Sequence, residues 1–139
     1  MACIFCRIAA DEAPSRTVYR ADDVVAFLDA NPLAPGHTLV IPTAHHERLA
    51  DLPEALVRDL FGAVHALLDP VETAADADAV TVAVNDGSAA GQEVPHVHCH
   101  LVPRFHDDGG GPIHAAMGHR PSLVDTELDA IAERIRSGV

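Results

Sequence analysis

The sequence predicts an antiparallel α+β domain. Its strand-type and helix-type segments run in the order hairpin, strand, helix, strand, loop, strand, helix, and this is not a βαβ alternation. The segment DLPEALVRDLFGAVHALLD (51–69) repeats apolar residues at the helical period, and Gly and Pro clusters cut the rest of the chain into pieces of strand length. At 139 residues, 48% of them hydrophobic, the chain suits one domain with a real core.

The elements follow in chain order. TVYRADDVVAFLD (17–29) holds two apolar runs around Ala-Asp-Asp and reads as a β-hairpin, Thr17–Arg20 with Val24–Leu28. NPLAPGH (31–37) is a turn, and HTLVIP (37–42) is a β-branched buried strand stopped by Pro42. In the 51–69 helix, Asp51 and Glu54 form a capping box around Pro53. Leu56, Val57, Leu60, Phe61, Val64, Leu67 and Leu68 make its apolar face. AVTVAVN (79–85) is a strand, DGSAAGQEVP (86–95) a Gly-rich loop and HVHCHLVPR (96–104) an alternating strand. After the loop HDDGGGP (106–112), a short helix over about Asp125–Arg136 closes the chain.

Composition narrows the function classes. Asp and Glu number 21 against nine basic residues, all of them Arg, for a net charge of -12. That balance argues against binding a nucleic-acid backbone or an anionic membrane surface. No apolar stretch approaches the ~20 residues of a bilayer span, and the N-terminus lacks a signal-peptide pattern. The chain is expected to be soluble and cytoplasmic. Such acidity repels itself unless salt screens it, which suggests a halophile's cytoplasm; a GC-rich genome that favours Arg and Ala is the alternative. The cysteines Cys3, Cys6 and Cys99 are odd in number and form no disulfide framework.

Within HVHCHLV the histidines His96, His98 and His100 fall at every second position. On a strand they share one face, spaced about 6–7 Å per step, while Val97, Cys99 and Leu101 face apolar packing. Imidazole titrates near neutrality, so each ring can serve as nucleophile, acid or metal ligand. The loop NDGSAAGQ (85–92) just before them is Gly-rich and suits a phosphate cradle, because its backbone N–H groups meet no Cβ hindrance.

The run HVHCHLV matches His-x-His-x-His-x-x with apolar x. Together with CIFCRI, VVAFLDANPLAPGHTLVIPTAH and NDGSAAGQEVPHVHCHLVPR, in that order, it resembles the histidine-triad (HIT) family over about residues 2–105. The resemblance implies the HIT fold, with an antiparallel sheet of about five strands and two helices. Residues 1–105 would be the catalytic domain, and 106–139 an extension of the same domain. It also implies a nucleotide hydrolase or nucleotidyl transferase in which His98 attacks the α-phosphorus, flanked by His96 and His100. Asn85 and Gln92 match the family's phosphate-binding amides and Asp29 its ribose-binding carboxylate. Phe5, Ile8 and Phe27 match the walls of the purine pocket, with Ala30 at the edge. Glu93 stands where many members carry Ser or Thr, which leaves open whether it acts as an acid for the leaving group or points away. Arg104 is a candidate anion donor or a surface ion pair. No role is expected for His37, His65, His106, His114 or His119.

Cys3 and Cys6 form C-x-x-C, open to three readings: a redox pair, buried thiols or a zinc site. In zinc-bearing relatives of the triad family the other ligands match His45, with His46 as the alternative, and His96. The resemblance thus implies structural Zn2+ on Cys3, Cys6, His45 and His96. Its Hint-like branch implies a purine nucleoside phosphoramidate hydrolase that forms a homodimer. The alternatives are a diadenosine polyphosphate hydrolase of the Fhit type and a nucleotide-binding regulatory protein with little turnover.

Overall fold

The computed structural model describes residues 3–139. The chain forms two compact units, one ending at Gly109 and one comprising Gly110–Val139. The first holds helix α1 (Ile4–Ala9), strands β1 (Thr17–Arg20), β2 (Val24–Leu28) and β3 (Thr38–Pro42), helix α2 (Glu54–Ala75), and strands β4 (Ala79–Ala83) and β5 (Cys99–Arg104). The second holds a 3-10 turn, Ile113–Ala116, and helix α3 (Asp125–Ser137), along which Leu128, Ile131 and Ile135 form an exposed apolar stripe. No helix among the described residues is long and apolar enough to cross a membrane.

The five strands make one antiparallel sheet in the order β1-β2-β3-β5-β4. Side chains alternate across it. Val24, Ala26, Val40, Cys99 and Leu101 pack with Leu60, Val64, Leu67 and Val71 of α2. Val25, Phe27, Leu39 and Ile41 pack on the opposite face with Phe5 and Ile8 of α1. Strands covered on both faces need apolar residues at every position, so VVAFL and TLVIP read as unbroken runs. Gly36, at φ +89°, makes the turn into β3, where a Cβ would stand 3.2 Å from that of Ala75 and 3.3 Å from Pro103.

The hairpin has the predicted bounds; other elements depart from expectation. Among the described residues there are three helices rather than two, because α1 escaped the sequence reading: it is a short stub that buries Phe5 and Ile8 on one face. The capping box does not form. Asp51 ends a 3-10 turn, Leu49–Asp51, and Pro53 is the N-cap with no side-chain cap. The proline bars its predecessor, the buried and extended Leu52, from helical geometry, so α2 starts at Glu54. The helix also runs on past Asp69. Pro70 removes one hydrogen-bond donor, but Val71 beyond it is buried in the core and holds the last turns. Phe61, expected on the apolar face, is 39% exposed, while Ala63 is buried. The strands of the site are shorter than read: β4 ends at Ala83, and β5 begins at Cys99 rather than His96.

Candidate active site

Only His100 of the three histidines lies within β5; His96 and His98 stand in the extended segment leading into it. The alternation survives this shift. Val97, Cys99 and Leu101 are buried against α2, and the rings of His98 and His100 lie 4.9 Å apart on the side carrying Phe5. Burial pushes the Cys99 thiol up to about 11, as expected of a packing residue.

His96 is fully buried and faces two ways. Its Nε2–H donates to the carbonyl of Pro42 at 2.8 Å, which leaves Nδ1 as a lone pair. That Nδ1 lies 3.5 Å from Cys3 Sγ and 3.6 Å from Cys6 Sγ, while His45 Nδ1 lies 3.3 Å from Cys6 Sγ. Bonds of about 2.3 and 2.05 Å at a tetrahedral angle hold sulfur and nitrogen about 3.6 Å apart around zinc. The donor atoms of Cys3, Cys6, His45 and His96 all lie within 4.8 Å of one another, so the four can hold a metal ion. Burial also lowers the His96 pKa and favours the neutral, ligating ring. His46 lies outside this set, and its carbonyl accepts the N–H of Val97. The bond to Pro42 is the kind of partner that orients a ligating imidazole.

The next two rings form a chain of hydrogen bonds. His98 Nδ1–H donates to the carbonyl of His96 at 2.8 Å, so its Nε2 carries the free lone pair. His37 Nδ1 accepts the N–H of Leu33 at 3.1 Å, which puts the proton of the neutral ring on Nε2. That Nε2–H donates to His100 Nδ1 at 2.9 Å. His100 must then carry its own proton on Nε2, a buried atom with no hydrogen-bond partner among the described residues. Burial lowers the His100 pKa to about 4, helped by His98 and His37 and opposed by Asp29, so the ring is neutral at pH 7. Burial likewise lowers the His37 pKa. His37, for which no role was expected, is thus a buried histidine that contacts the triad through His100. The signal for it is the strand register, which pairs Leu39 with His100 and Thr38 with Leu101 and so brings the residue before β3 beside the triad.

Asp29 closes this end of the site. One of its carboxylate oxygens accepts the N–H of Asn31 at 2.9 Å, and the other lies 3.7 Å from His37 Nε2. Beside it a cavity of about 500 Å3 is lined by Ile8, Phe27, Leu28 and Ala30 together with Pro14, Ser15 and Arg16. Phe5 packs behind it, edge-on to Phe27 at 5.6 Å and to His98 at 5.1 Å.

At the loop, Gln92 is engaged at both ends: its Oε1 accepts the N–H of Gly87 at 2.8 Å, and its Nε2 donates to the carbonyl of Glu47 at 2.8 Å. Asn85 lies against Gly91, which has φ +95°. Glu93 is exposed. Arg104 makes the ion-pair alternative, with Asp108 at 2.7 Å and a hydrogen bond to Thr81 at 3.0 Å. The cation beside the loop is Arg48, missed in the sequence, whose guanidinium lies over Gly87 and pairs with Asp86 at 3.2 Å. The Leu49 N–H and Arg48 hold the Asp86 carboxyl below its usual range.

Comparison with known proteins places this geometry. The HIT domain family model matches residues 10–107. A Bacillus subtilis protein named Protein hit is 35% identical over 138 residues, 97% of this chain and 95% of that one, so the likeness extends through the C-terminal segment. An Arabidopsis thaliana adenylylsulfatase is 36% identical over 76% of this chain and 54% of its own length. A Saccharomyces cerevisiae adenosine 5'-monophosphoramidase is 38% identical over 78% and 66%. Among solved structures, a Streptococcus mutans protein superposes with TM-score 0.86 at 35% identity, covering 98% of this chain and 84% of that one. A Zn-bound histidine triad family protein from Mycobacterium smegmatis superposes with TM-score 0.74 at 31% identity, covering 100% and 99%. With a five-stranded antiparallel sheet of HIT type and Hint-like homologues, this chain belongs to the HIT domain family.

Proposed function

We propose that the protein is a nucleotide hydrolase or nucleotidyl transferase acting at an α-phosphate through a covalent intermediate on His98, with purine nucleoside phosphoramidates as substrates. The observation that carries this reading is the tautomer pair: His98 with Nε2 free and His100 with a buried, unpartnered Nε2–H beside it. The relatives named adenosine 5'-monophosphoramidase and adenylylsulfatase support hydrolysis of nucleotides in general, and the first of them supports the phosphoramidate class.

In this mechanism His98 Nε2 attacks the α-phosphorus. The N–P bond forms as the bond from phosphorus to the leaving amine breaks, and the amine takes up a proton from solvent as it departs. Water then attacks phosphorus and gives up a proton to solvent, the bond to His98 breaks and the nucleotide leaves. His100 Nε2–H donates to a non-bridging oxygen and stabilises the charge that develops there. Asn85 lines the phosphate side, and Gln92 holds the loop that presents the Gly87 backbone. Asp29 accepts the ribose hydroxyls, and Ile8, Phe27 and Ala30 enclose the base, with Phe5 behind them. Glu93, exposed in the loop, either serves as an acid for the leaving group or points away from it.

Zinc is the metal proposed for Cys3, Cys6, His45 and His96; when bound it supplies a closed structural cross-link and takes no part in the reaction. The catalytic domain is residues 1–105, extended by 106–139. The exposed stripe of α3 and the open edge of β4 support assembly as a homodimer. The acidic, lysine-free composition supports a salt-rich cytoplasm.

The test is to mix enzyme with an adenosine phosphoramidate, quench early and locate AMP by mass spectrometry. Adduct on the peptide carrying His98, absent in His98→Ala, is the expected result. Turnover with no adduct at any time, or an adduct elsewhere, rejects the mechanism. Faster cleavage of diadenosine polyphosphates than of phosphoramidates would move the substrate class to the Fhit type.

A further inference from the structure

Helix α1 links the candidate metal site to the nucleotide site. Its N-cap is Cys3, and Cys6 lies in its first turn. A helix of six residues is far too short to hold itself in water. At its C-terminal end Arg20 donates to the carbonyl of Ala9 at 3.0 Å. At its N-terminal end side-chain contacts run from Cys3 and Cys6 to His96, and from Cys6 to His45.

Between those ends α1 buries Phe5 and Ile8. Ile8 is a wall of the base cavity. Phe5 meets the rings of His96 at 5.8 Å, His98 at 5.1 Å and Phe27 at 5.6 Å, all edge-on. One aromatic ring thus touches a metal-site residue, the proposed nucleophile and a wall of the base cavity. The remaining core, in which α2 packs on the sheet, includes no residue of α1 and does not depend on its position.

We propose that metal binding and nucleotide binding are thermodynamically coupled through α1, with Phe5 as the positioning residue. Metal on the two thiolates pins α1 and seats Phe5 and Ile8 against the cavity. Without it the N-terminal end of α1 is released, and the cavity loses the Ile8 wall and the Phe5 ring that backs Phe27. The nucleotide therefore binds more tightly to the metal-loaded protein. Linkage requires the reverse as well: bound nucleotide must raise metal affinity by the same factor. The proposal rests on the nucleotide-binding reading above.

The experiment partitions Zn2+ at equilibrium between the full-length protein and a chromophoric chelator, with and without saturating AMP. AMP binding to zinc-loaded and zinc-free protein is measured separately by calorimetry. The expected result is about a fivefold or greater rise in zinc affinity with AMP, matched by an equal loss of AMP affinity in the zinc-free protein. Weak chelation of zinc by free AMP acts in the opposite direction and cannot mimic this. In Phe5→Leu, which keeps apolar bulk but loses the ring contacts, the coupling falls below about twofold while zinc is still bound. Equal AMP affinity with and without zinc overturns the coupling and leaves the nucleotide reading intact. Full coupling in Phe5→Leu overturns the role of Phe5. No AMP binding to zinc-loaded protein removes the nucleotide reading and this proposal together.

Discussion

At the scale of single residues, the site is a set of imidazoles whose proton positions are dictated by backbone groups. The His96 carbonyl places the His98 proton, and the Leu33 N–H, through His37, places the His100 proton. Removing His37 leaves His100 free to turn or to change tautomer, because among the described residues His37 is the hydrogen-bond partner of its Nδ1. His37→Ala is expected to lower kcat about 10–100-fold, the range usual for losing a partner that orients a functional ring, with KM little changed. Steady-state kinetics checks this, and a variant with undiminished kcat would break the proton chain. A second outcome follows from burial. His100 titrates near 4 in the folded protein against about 6.5 in an unfolded chain. Its depressed pKa means that the unfolded state binds the extra proton first. The contribution to stability is complete above about pH 6.5 and is lost as pH falls toward about 4. Urea midpoints measured between pH 7 and 5, above most carboxylate titrations, should fall for wild type and fall less for His100→Gln. The metal site is common to both proteins and cancels in that difference.

At the scale of elements, α2 carries the packing and the short lead-in to β5 carries the proposed nucleophile. Leu60 is fully buried where α2 meets the sheet. Leu60→Ala is expected to destabilise the protein by about 2–5 kcal/mol, read as a lower urea midpoint with an unchanged m-value. Strands β2 and β3 were predictable because each lies between two apolar layers, which leaves an almost unbroken apolar run, and β1 because a short turn ties it to β2. The ends of α2 were not. Its start is set by the effect of Pro53 on Leu52, and its finish by burial of Val71 beyond a proline that would ordinarily stop a helix. Helix α1 was missed because six residues present too little periodicity to register. The lead-in to β5 was read as strand because an extended chain alternates its side chains whether or not it pairs with a neighbour. The alternation was therefore right where the pairing was wrong.

At the scale of the whole molecule, the net charge of -12 works against compaction. At 1 M salt the screening length falls to about 3 Å, so raising KCl from 0.1 to 2 M is expected to raise Tm. A flat or falling response in a thermal melt would reject adaptation to a salt-rich cytoplasm. Periodicity and turn residues were sufficient to reach the α+β class, and the ordered motifs resemble the HIT family closely enough to imply the family and most of the candidate site residues, since both are local patterns written along the chain. What only the tertiary structure decided were the relations across the sheet. These are the position of His37 behind His100, the convergence of Cys3, Cys6 and His45 on one nitrogen of His96, and the closure of the gap between metal site and nucleophile by Phe5. Such relations depend on strand register and on which face of a short helix meets the sheet, and contacts between residues as far apart as Cys3 and His96 leave no period in the sequence.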